Sequence, residues 1–462
     1  MIACDSVKNM RILQQKMIGV GHLCNILYQI FDLPHVSCYD KHTEKWREDT
    51  MERLIFHVDV NSAYLSWESA RRVKEGQADL RLIPSCIGGN PRKRTGVVLA
   101  KSIPAKQFGV RTGEPVGMAL RKCPELVIAA PDFRLYEVCS KAFLEICRSY
   151  APVVEQFSID ECFLDMTGTG SMYPDPVAAA CEIKDTIRDT LGFTVNVGIG
   201  PNKLLAKMAS DFEKPDKIHT LFYQEIPQKL WPLPVGDLLT VGRTTAQKLQ
   251  KARIMTIGDL AQQDVRRIQA LVGSKLGMQL YRYANGKDDT PVQTQRQEAK
   301  GYSVSTTLEE NVTTQEQANR IFLALTDSAA SRMRSDHAKA YCIGVSIRSA
   351  DFKNRSHQHK LDIPTDITSE IYGIARQLFA ELWDGKTPLR LLGLSLSEIT
   401  REDVEQLSLF PDEQKEKARK LDRAVDAIRS RYGVDTITHG SAYDNAKRIG
   451  RKYRAQMEQK KE

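Results

Sequence analysis

Hydrophobic and polar positions change their period several times between residues 51 and 232, and each change predicts a new element. Two apolar, β-rich runs, at 54–60 and 193–200, are typical of buried strands. Apolar residues at helical spacing predict helices at 61–75, 136–150 and 174–191. This alternation of strands and helices predicts an α/β layer with its helices on one face.

The sequence GPNKLLAKMASD follows the second run and opens another predicted helix. Pro201 and Asn202 suit its first turn, because proline needs no backbone partner there and asparagine can accept a free N–H group. Between the helices lies QFSIDECFLD, at 156–165, which predicts a strand pair around two adjacent carboxylates.

A helical pattern replaces the mixed one from residue 233 to residue 291. Within it, Val241, Gly242, Arg243 and Thr244 form a predicted turn before a helix, with Thr244 and Thr245 as candidate caps. Such a turn presents backbone N–H groups that can grip DNA phosphates without reading bases. An ordinary turn between two helices has the same pattern, and the sequence leaves both interpretations open.

The polar stretch 292–299 is typical of a linker, and a third pattern fills 300–401. It predicts a small α+β domain with strands at 301–308, 340–349, 357–363 and 390–398 and helices at 314–335 and 368–384. The strands carry several basic side chains, which favours a surface that follows a nucleic-acid backbone. A solvated sheet face would carry the same residues.

The tail, 402–462, contains a short apolar peptide with one amide, formed by Gln406, Leu407, Leu409 and Phe410. Apolar anchors with one orienting amide suit a peptide that docks in a partner's groove. A loop that packs on its own domain has the same composition.

The two ends of the chain differ in pattern from the rest. Near the C-terminus, a charged helix places Leu421, Val425 and Ile428 on one face. Residues 1–50 are either an accessory N-terminal extension or the product of a start codon assigned too far upstream, and we favour the second interpretation.

Composition narrows the class of protein. A chain of 462 residues is long enough for several domains, and its net charge of +8 is weak evidence for a polyanionic partner. Ten cysteines without a C-x-x-C pair argue against a structural zinc site or a disulfide framework and predict a cytoplasmic protein. No apolar run reaches the roughly 18 residues of a membrane span, and a signal peptide is not expected.

Three carboxylates mark the candidate chemistry: Asp59 at the end of the first predicted strand, and Asp160 with Glu161 in the strand pair. Carboxylates at the ends of adjacent strands can hold two Mg²⁺ ions, which serve both the attacking and the leaving oxygen in phosphoryl transfer. On one regular strand Asp160 and Glu161 would point to opposite faces, so we expect a turn or bulge between them. The alternative is that one of the pair is simply exposed.

Four motifs, in the order HVDVNSAYLSWE, AKQFGVRTGEP, FSIDECFLDMTG and VGIGPNKLLAKMASD, closely resemble those of the Y-family, or translesion, DNA polymerases. The resemblance extends from about Met51 to Arg401, and QLSLF beyond it resembles a bacterial sliding-clamp-binding motif. It points to the bacterial polymerase IV and polymerase V group. Within that group, DVN and Ala105-Lys106 resemble the polymerase V catalytic subunit more than polymerase IV.

The resemblance implies a multidomain α/β and α+β fold: a right-hand polymerase with palm, small fingers, helical thumb and a C-terminal little finger. The thumb would carry a helix-hairpin-helix-like DNA-binding element. The implied domains are palm and fingers at 51–232 with the fingers inserted at about 66–135, thumb at 233–291, linker at 292–299, little finger at 300–401, and a tail at 402–462 with the clamp-binding peptide at 406–410.

The resemblance also implies roles at the metal site. Asp59, Asp160 and Glu161 match the family's metal ligands, and Val60 would offer its backbone carbonyl to the nucleotide-bound ion. Asp165 fits the motif but has no implied catalytic role.

Further matches concern the incoming nucleotide. Tyr64 matches the steric gate, an aromatic ring that excludes a ribose 2′-OH. Lys203 and Lys106 match residues that contact the triphosphate, although Lys106 stands where many members carry Arg and so lacks a bidentate fork. Ile103 stands where many members carry Tyr, so one phosphate-binding hydroxyl is missing.

The implied function is error-prone translesion DNA synthesis by two-metal-ion nucleotidyl transfer with Mg²⁺. Primer–template DNA, dNTPs and the sliding clamp would be the partners of a monomeric protein, and small fingers imply an open site with low selectivity. One alternative is a non-catalytic DNA- and clamp-binding repair factor that keeps the fold; the intact acidic residues argue against it. Another is an enzyme that is inactive until an accessory subunit binds.

Overall fold

The computed structural model describes residues 53–90, 96–294, 298–402, 413–433, 436–438 and 440. The predicted N-terminal extension at 1–50 and the predicted clamp-binding peptide at 406–410 lie outside these residues. The described strands are β1 (Ile55–Val60), β2 (Ser85–Gly88), β3 (Val98–Lys101), β4 (Val127–Ala129), β5 (Val153–Gln156), β6 (Glu161–Asp165), β7 (Val195–Gly200), β8 (Ile218–Thr220), β9 (Gly301–Val312), β10 (Lys339–Ser349), β11 (Asn354–Thr365) and β12 (Leu389–Thr400).

The helices follow the same order along the chain. They are α1 (Ala63–Lys74), α2 (Ile103–Gln107), α3 (Val116–Lys122), α4 (Phe133–Tyr150), α5 (Pro176–Leu191), α6 (Lys203–Ser210), α7 (Arg243–Lys251), α8 (Ile257–Ala261), α9 (Val265–Val272), α10 (Ser274–Ala284), α11 (Gln315–Ser335), α12 (Thr368–Leu382) and α13 (Glu413–Tyr432). Short 3₁₀ or π turns lie at Leu80–Leu82, Tyr223–Glu225, Ile226–Leu230 and Val235–Asp237.

A five-stranded sheet forms the palm, in the order β5–β6–β1–β7–β8. Strand β1 is central and pairs antiparallel with β6 and β7, while β7 and β8 run parallel. Every residue of β1 and β7 is buried, because the sheet is covered on both faces. Both strands nevertheless alternate: in β1 the apolar Phe56 and Val58 face one side, while the polar His57 and Asp59 face the other.

Different helices cover the two faces of the palm sheet. Phe56 and Val58 point into a core shared with α4 and α5, whereas Phe163 faces α6 on the opposite side. Helix α6 lies so close that a Cβ on Gly198 would come within 2.0 Å of the Ala206 carbonyl oxygen. The prediction of helices on one face is therefore wrong, since glycine in β7 makes room for a helix on the second face.

Side-chain caps fix the starts of the palm helices. Asp132 and Asp175 accept backbone N–H groups at the starts of α4 and α5. Asn202 caps α6 by accepting the Leu205 N–H at 2.9 Å. Helix α6 therefore begins at Lys203. Pro201 and Asn202 precede its first turn, contrary to the prediction that they lie within it.

The fingers and the thumb form two smaller layers. The fingers contain a sheet in the order β3–β2–β4 with α2 and α3, over a small core that includes Val98 and Ala119. The thumb packs α7 to α10 around Leu249, Ile268 and other apolar residues. Gly242 is the N-cap of α7, so Thr244 and Thr245 lie inside its first turn, and their predicted role as caps is wrong.

The little finger is a four-stranded sheet, β11–β10–β12–β9, with α11 and α12 packed against it. The predicted strand at 301–308 extends to Val312 in β9. The predicted strand at 357–363 is extended at both ends in β11, which covers Asn354–Thr365. Pairing with a neighbouring strand extends both beyond their apolar patterns, since backbone hydrogen bonds do not depend on side-chain polarity.

Helix α13 docks on the little finger through charged side chains. Arg429 is buried and donates to both carboxylate oxygens of Asp327, at 2.9 and 2.7 Å. Asp426 accepts a hydrogen bond from Arg334 at 2.6 Å. Leu421 is 61% exposed, so the apolar face identified in the sequence is not the docking face.

Candidate active site

Asp59 and Glu161 face each other at the centre of the palm sheet, where β6 begins and β1 is one residue from its end. Residues paired across antiparallel strands project to the same face, so both carboxylates lie on the α6 side of the sheet. Asp59 is only 7% exposed. Burying an ionised carboxylate costs free energy unless a cation compensates it.

The chain turns between Asp160 and Glu161, as the sequence predicted. Phe157 and Ser158 donate their backbone N–H groups to the Glu161 carbonyl oxygen at 3.0 and 3.1 Å, which closes the turn from β5 to β6. The Val60 N–H donates to the Asp160 carbonyl oxygen at 3.0 Å and ties this turn to the end of β1. Asp160 is thus the last residue of the turn, and Glu161 is the first residue of β6.

The pKa of Asp160 reports the crowding of the three carboxylates. Burial raises the pKa of Asp160 above its ordinary value, a hydrogen bond from Ser158 opposes this rise, and the charges of Asp59 and Glu161 add to it. Negative charges so close to one another attract cations of the protein, of the substrate or of the solvent.

Two lysines bring positive charge to this group. Lys207 Nζ lies 2.9 Å from Glu161 Oε2 and 3.6 Å from Asp59 Oδ2. Lys214 Nζ lies 2.7 Å from Asp59 Oδ2. Although burial opposes it, the neighbouring carboxylates raise the pKa of both lysines above the ordinary value. Both are therefore cationic at neutral pH, and the site holds charges of both signs.

His57 connects Glu161 to α6. Its buried ring lies between Glu161 Oε2, 3.2 Å from Nε2, and Ser210 Oγ, 2.8 Å from Nδ1. Burial lowers the pKa of His57, so the ring is neutral and donates to the carboxylate from Nε2. Burial would raise the pKa of Glu161, but the hydrogen bonds from His57 and Lys207 outweigh this effect and lower the pKa to about 2.

The three carboxylates offer hard oxygen ligands of the kind that Mg²⁺ prefers. In the described part of the chain, no three His, Cys, Asp or Glu side chains are gathered into a ready-made metal cluster. Asp59 and Glu161 direct oxygens at Lys207, and Asp160 accepts a hydrogen bond from Ser158. The ligand chemistry therefore fits a divalent ion, and side-chain rotation is needed to bring the three carboxylates onto it.

Tyr64 lies half-buried in α1, within an aromatic cluster. Its ring centroid is 4.6 Å from that of Tyr136 and 5.9 Å from that of Trp67. Burial raises the pKa of the phenol, and the charge of Asp160 raises it further, which places Tyr64 within electrostatic reach of the carboxylates. The neighbouring rings hold Tyr64 in place.

Lys203 makes different contacts from the other two lysines. Its Nζ lies 2.7 Å from Glu155 Oε1 and 4.8 Å from the centre of the Phe163 ring. Glu155 also accepts the Gln293 backbone N–H at 2.7 Å, so this pair joins the palm to the start of the linker. The carboxylates are thus contacted by Lys207 and Lys214 rather than by Lys203, the lysine singled out in the sequence.

The remaining predicted site residues lie on the fingers and the thumb. Lys106 and Ile103 are both exposed on α2. On the thumb, Val241 is buried, while Gly242, Arg243 and Thr244 are exposed at the N-terminus of α7. Gln406, Leu407, Leu409 and Phe410 fall outside the described residues.

Three residues of the site were missed in the sequence: His57, Lys207 and Lys214. His57 lies two positions before Asp59, and strand alternation alone places both on one face. Lys207 lies one helical turn after Lys203, a spacing that also gives a shared face. Lys214 carried no such signal, because it reaches Asp59 from 155 positions away along the chain.

A palm sheet with facing carboxylates, a small fingers layer, a helical thumb and an α+β little finger define a right-hand polymerase. Three described protein families match successive parts of the chain. The impB/mucB/samB family matches residues 58–211, the DNA polymerase-iota thumb domain matches 236–288, and the impB/mucB/samB C-terminal domain matches 299–409.

Similar proteins extend this match to nearly full length. The DNA polymerase IV of Clostridium acetobutylicum is 43% identical over 390 residues, which cover 84% of this chain and 97% of that protein. The DNA polymerase IV 1 of Bacillus subtilis is 36% identical over 392 residues, which cover 84% and 93%. A solved Y-family DNA polymerase chimera of Dbh and Dpo4 shares the fold, with a TM-score of 0.66 and 22% identity over 76% of this chain and 100% of its own.

The chain therefore belongs to the Y family of DNA polymerases, in the polymerase IV group. This finding confirms the resemblance and the right-hand fold that it implied. Both of these bacterial relatives are polymerases IV, so they do not support the prediction that DVN and Ala105-Lys106 place the chain closer to polymerase V. Among the described helices, none is both long and apolar enough to cross a membrane.

Proposed function

We propose that this protein is a translesion DNA polymerase that extends a primer along a DNA template by adding dNTPs. The observation that carries the proposal is that Asp59 and Glu161 meet two lysines on one face of the palm sheet, close enough to Asp160 for their charges to raise its pKa. A module that only binds DNA has no use for three crowded, partly buried carboxylates, since burying such charges costs free energy that cations must offset.

Asp59, Asp160, Glu161 and the carbonyl of Val60 would hold two Mg²⁺ ions. When bound, such ions stabilise the charge on the attacking and the leaving oxygen and lower the barrier to nucleotidyl transfer. His57 keeps Glu161 ionised and oriented by donating to Oε2, which leaves Oε1 available as a ligand. This is the same relation that supporting residues have to metal ligands in other proteins.

The incoming nucleotide would lie between the palm and the fingers. Lys214 on the palm and Lys106 on the fingers would hold the triphosphate, and Tyr64 would exclude the ribose 2′-OH. Lys203 remains a candidate for triphosphate binding by resemblance, but its ion pair with Glu155 favours a structural role. Ile103 offers no phosphate-binding hydroxyl, so more of the triphosphate's binding energy must come from the lysines.

DNA would be held without reading its sequence. The exposed turn at Gly242, Arg243 and Thr244 offers backbone N–H groups and one cation to a phosphate. The apolar peptide at 406–410 would tether a monomeric, cytoplasmic enzyme to the sliding clamp and so raise its effective concentration at the primer end. The small fingers leave the site open, which favours lesion bypass and error-prone synthesis.

The test is incorporation of dNTPs on a primer–template by the purified chain, with Mg²⁺ and with EDTA. We expect Mg²⁺-dependent extension on an undamaged template and on a template with an abasic site. Tight DNA binding without extension would identify a non-catalytic DNA-binding factor instead. Extension only after addition of a cell extract would indicate that an accessory subunit is required.

A further inference from the structure

Two buried asparagines, Asn61 and Asn196, lie side by side behind the site and have no part in the mechanism above. Asn61 is 8% exposed and Asn196 is fully buried. The Asn61 Nδ2 donates to the Asn196 Oδ1 at 3.0 Å. Each amide has two donor and two acceptor positions, and burying them is favourable only when they are bonded.

Both amides form their remaining hydrogen bonds mainly with one segment, residues 210–217, which joins α6 to β8. The Asn61 Oδ1 accepts the Asp216 N–H at 3.0 Å, and also the Thr194 hydroxyl at 3.0 Å. The Asn196 Nδ2 donates to the carbonyl oxygens of Ser210 and Glu213 at 3.1 and 2.6 Å.

A last bond completes this arrangement. The Asn196 Oδ1 also accepts the Lys217 N–H at 3.2 Å. The asparagines therefore contact the segment near both of its ends and in its middle. Between α6 and β8 the segment has no helix or strand of its own, so these side chains supply backbone partners that regular structure would otherwise provide.

The segment carries Lys214. Its Nζ lies 2.7 Å from Asp59 Oδ2 and 2.8 Å from Asp211 Oδ1. A lysine side chain has four rotatable bonds, so its ammonium group stays beside a carboxylate only if the backbone under it is fixed. The two amides fix that backbone on both sides of Lys214.

We propose that Asn61 and Asn196 are positioning residues that hold Lys214 in the cleft, where it contacts the triphosphate of the incoming nucleotide. The proposal rests on the proposed function, because it assigns Lys214 to dNTP binding. Neither asparagine touches the nucleotide; both act through the backbone of residues 210–217. Their loss should therefore weaken nucleotide binding more than it slows the chemical step.

The experiment measures KM for dNTP, kcat and DNA affinity for Asn61→Ala, Lys214→Ala and the double variant. We expect Asn61→Ala to raise KM about tenfold, as for the loss of one or two buried hydrogen bonds, with kcat within roughly twofold of wild type. DNA affinity should not change. In the Lys214→Ala background, Asn61→Ala should raise KM no further, since the lysine that it positions is gone.

Thr194→Val is the matched control, because it removes one bond to Asn61 but none to the segment. Its KM should stay close to that of wild type. If Asn61→Ala does not fold, Asn61→Ser replaces it: the shorter side chain stays polar but is too short for the Asp216 N–H, and we expect the same rise in KM.

Equal increases in KM from the asparagine change with and without Lys214 would overturn the proposal, since the effect would then not pass through the lysine. An unchanged KM in Asn61→Ala, or in Asn61→Ser where it replaces that variant, would overturn it as well. Failure of the wild-type protein to extend any primer would instead remove the proposed function, so the two failures can be told apart.

Discussion

Asp160 and Glu161 are adjacent in the chain yet experience opposite electrostatic effects. Burial and two neighbouring carboxylates raise the pKa of Asp160, whereas hydrogen bonds from His57 and Lys207 overcome burial at Glu161 and lower its pKa to about 2. Ionised Glu161 therefore stabilises the fold above its ordinary pKa of 4.5, and this contribution is lost as the pH falls towards 2. Ionised Asp160 contributes to stability with the opposite sign. Its charge lowers the free energy of unfolding at neutral pH, and protonation at low pH removes this unfavourable contribution.

Near-isosteric variants test these signs in the metal-free protein. At pH 7 in EDTA, Asp160→Asn should raise Tm by roughly 2 °C, because it removes a charge that its neighbours repel. Glu161→Gln should lower Tm by a similar amount, because His57 and Lys207 lose their ionised partner. Thermal unfolding followed by circular dichroism measures both. A fall of Tm in both variants would show that the crowding of carboxylates does not strain the site.

Triphosphate binding distinguishes Lys214 from Lys203. Lys214→Ala should raise KM for dNTP at least tenfold, by analogy with the loss of a charged contact, because its ammonium group lies beside Asp59, a proposed metal ligand. Lys203→Ala should leave KM within about twofold, because its ammonium group is held by Glu155. Steady-state kinetics measures both variants. The reverse result would restore the role in triphosphate binding that the family resemblance implied for Lys203.

At the scale of single residues, local pattern found only part of the site. Asp59, Asp160 and Glu161 drew attention as acidic residues in or beside apolar strand-like runs, and the four-motif resemblance then implied their role as metal ligands. The turn between Asp160 and Glu161 could be predicted as well, since strand alternation would otherwise send them to opposite faces. Lys214 could not be identified as their partner, because its position depends on two asparagines distant from it in the chain.

At the scale of elements, period and length identified the strands and helices but not the face that each helix covers. The prediction of helices on one side failed at α6, because the signal for a helix on the second face is the absence of side chains in β7. Gly198 and Gly200 face α6, and a Cβ on either would lie 3.0 Å or less from atoms of that helix. Glycine in a strand marks close backbone approach, which sequence periodicity does not record.

Gly198→Ala tests the role of this close approach. The new Cβ would lie 2.0 Å from the Ala206 carbonyl oxygen and 2.4 Å from the Ser210 backbone nitrogen, so α6 must move. We expect a loss of about 3 kcal/mol or more in the free energy of unfolding, together with loss of activity, as α6 carries Lys207. Gly170→Ala is the control, because nothing lies within 4 Å of a Cβ there. Chemical denaturation that gave equal stabilities would contradict the packing described here.

At the scale of the whole molecule, the changes of pattern predicted an α/β part, a helical part and a small α+β part in succession, and the family resemblance implied the right-hand architecture that they form. The charge-mediated docking of α13 was not predictable in this way. The partners of α13 are distant in the chain: Asp327, which binds Arg429, lies 102 positions before it. The helix follows the predicted clamp-binding peptide in the chain and docks on the little finger, the domain that also contains β12 before the peptide.

Clamp tethering is a prediction at this scale. Leu409→Ala combined with Phe410→Ala should weaken binding to the sliding clamp by about a hundredfold, because these residues are the apolar anchors. Distributive synthesis without clamp should not change. Leu421→Ala is the control, since Leu421 is an exposed apolar residue close by in the chain. Calorimetry that gave the same clamp affinity for the double variant and for wild type would remove the peptide from the interface.

The most direct test of the central claim, that the palm carboxylates catalyse DNA synthesis, is primer extension by wild type, Asp160→Ala and Asp165→Ala under single-turnover conditions. Asp165 is the matched control: it is an acidic residue in the same motif, but its carboxylate accepts the Thr167 N–H and has no implied catalytic role. We expect Asp160→Ala to lose about a thousandfold in rate and Asp165→Ala to stay close to wild type. Equal rates for wild type and Asp160→Ala would contradict the account.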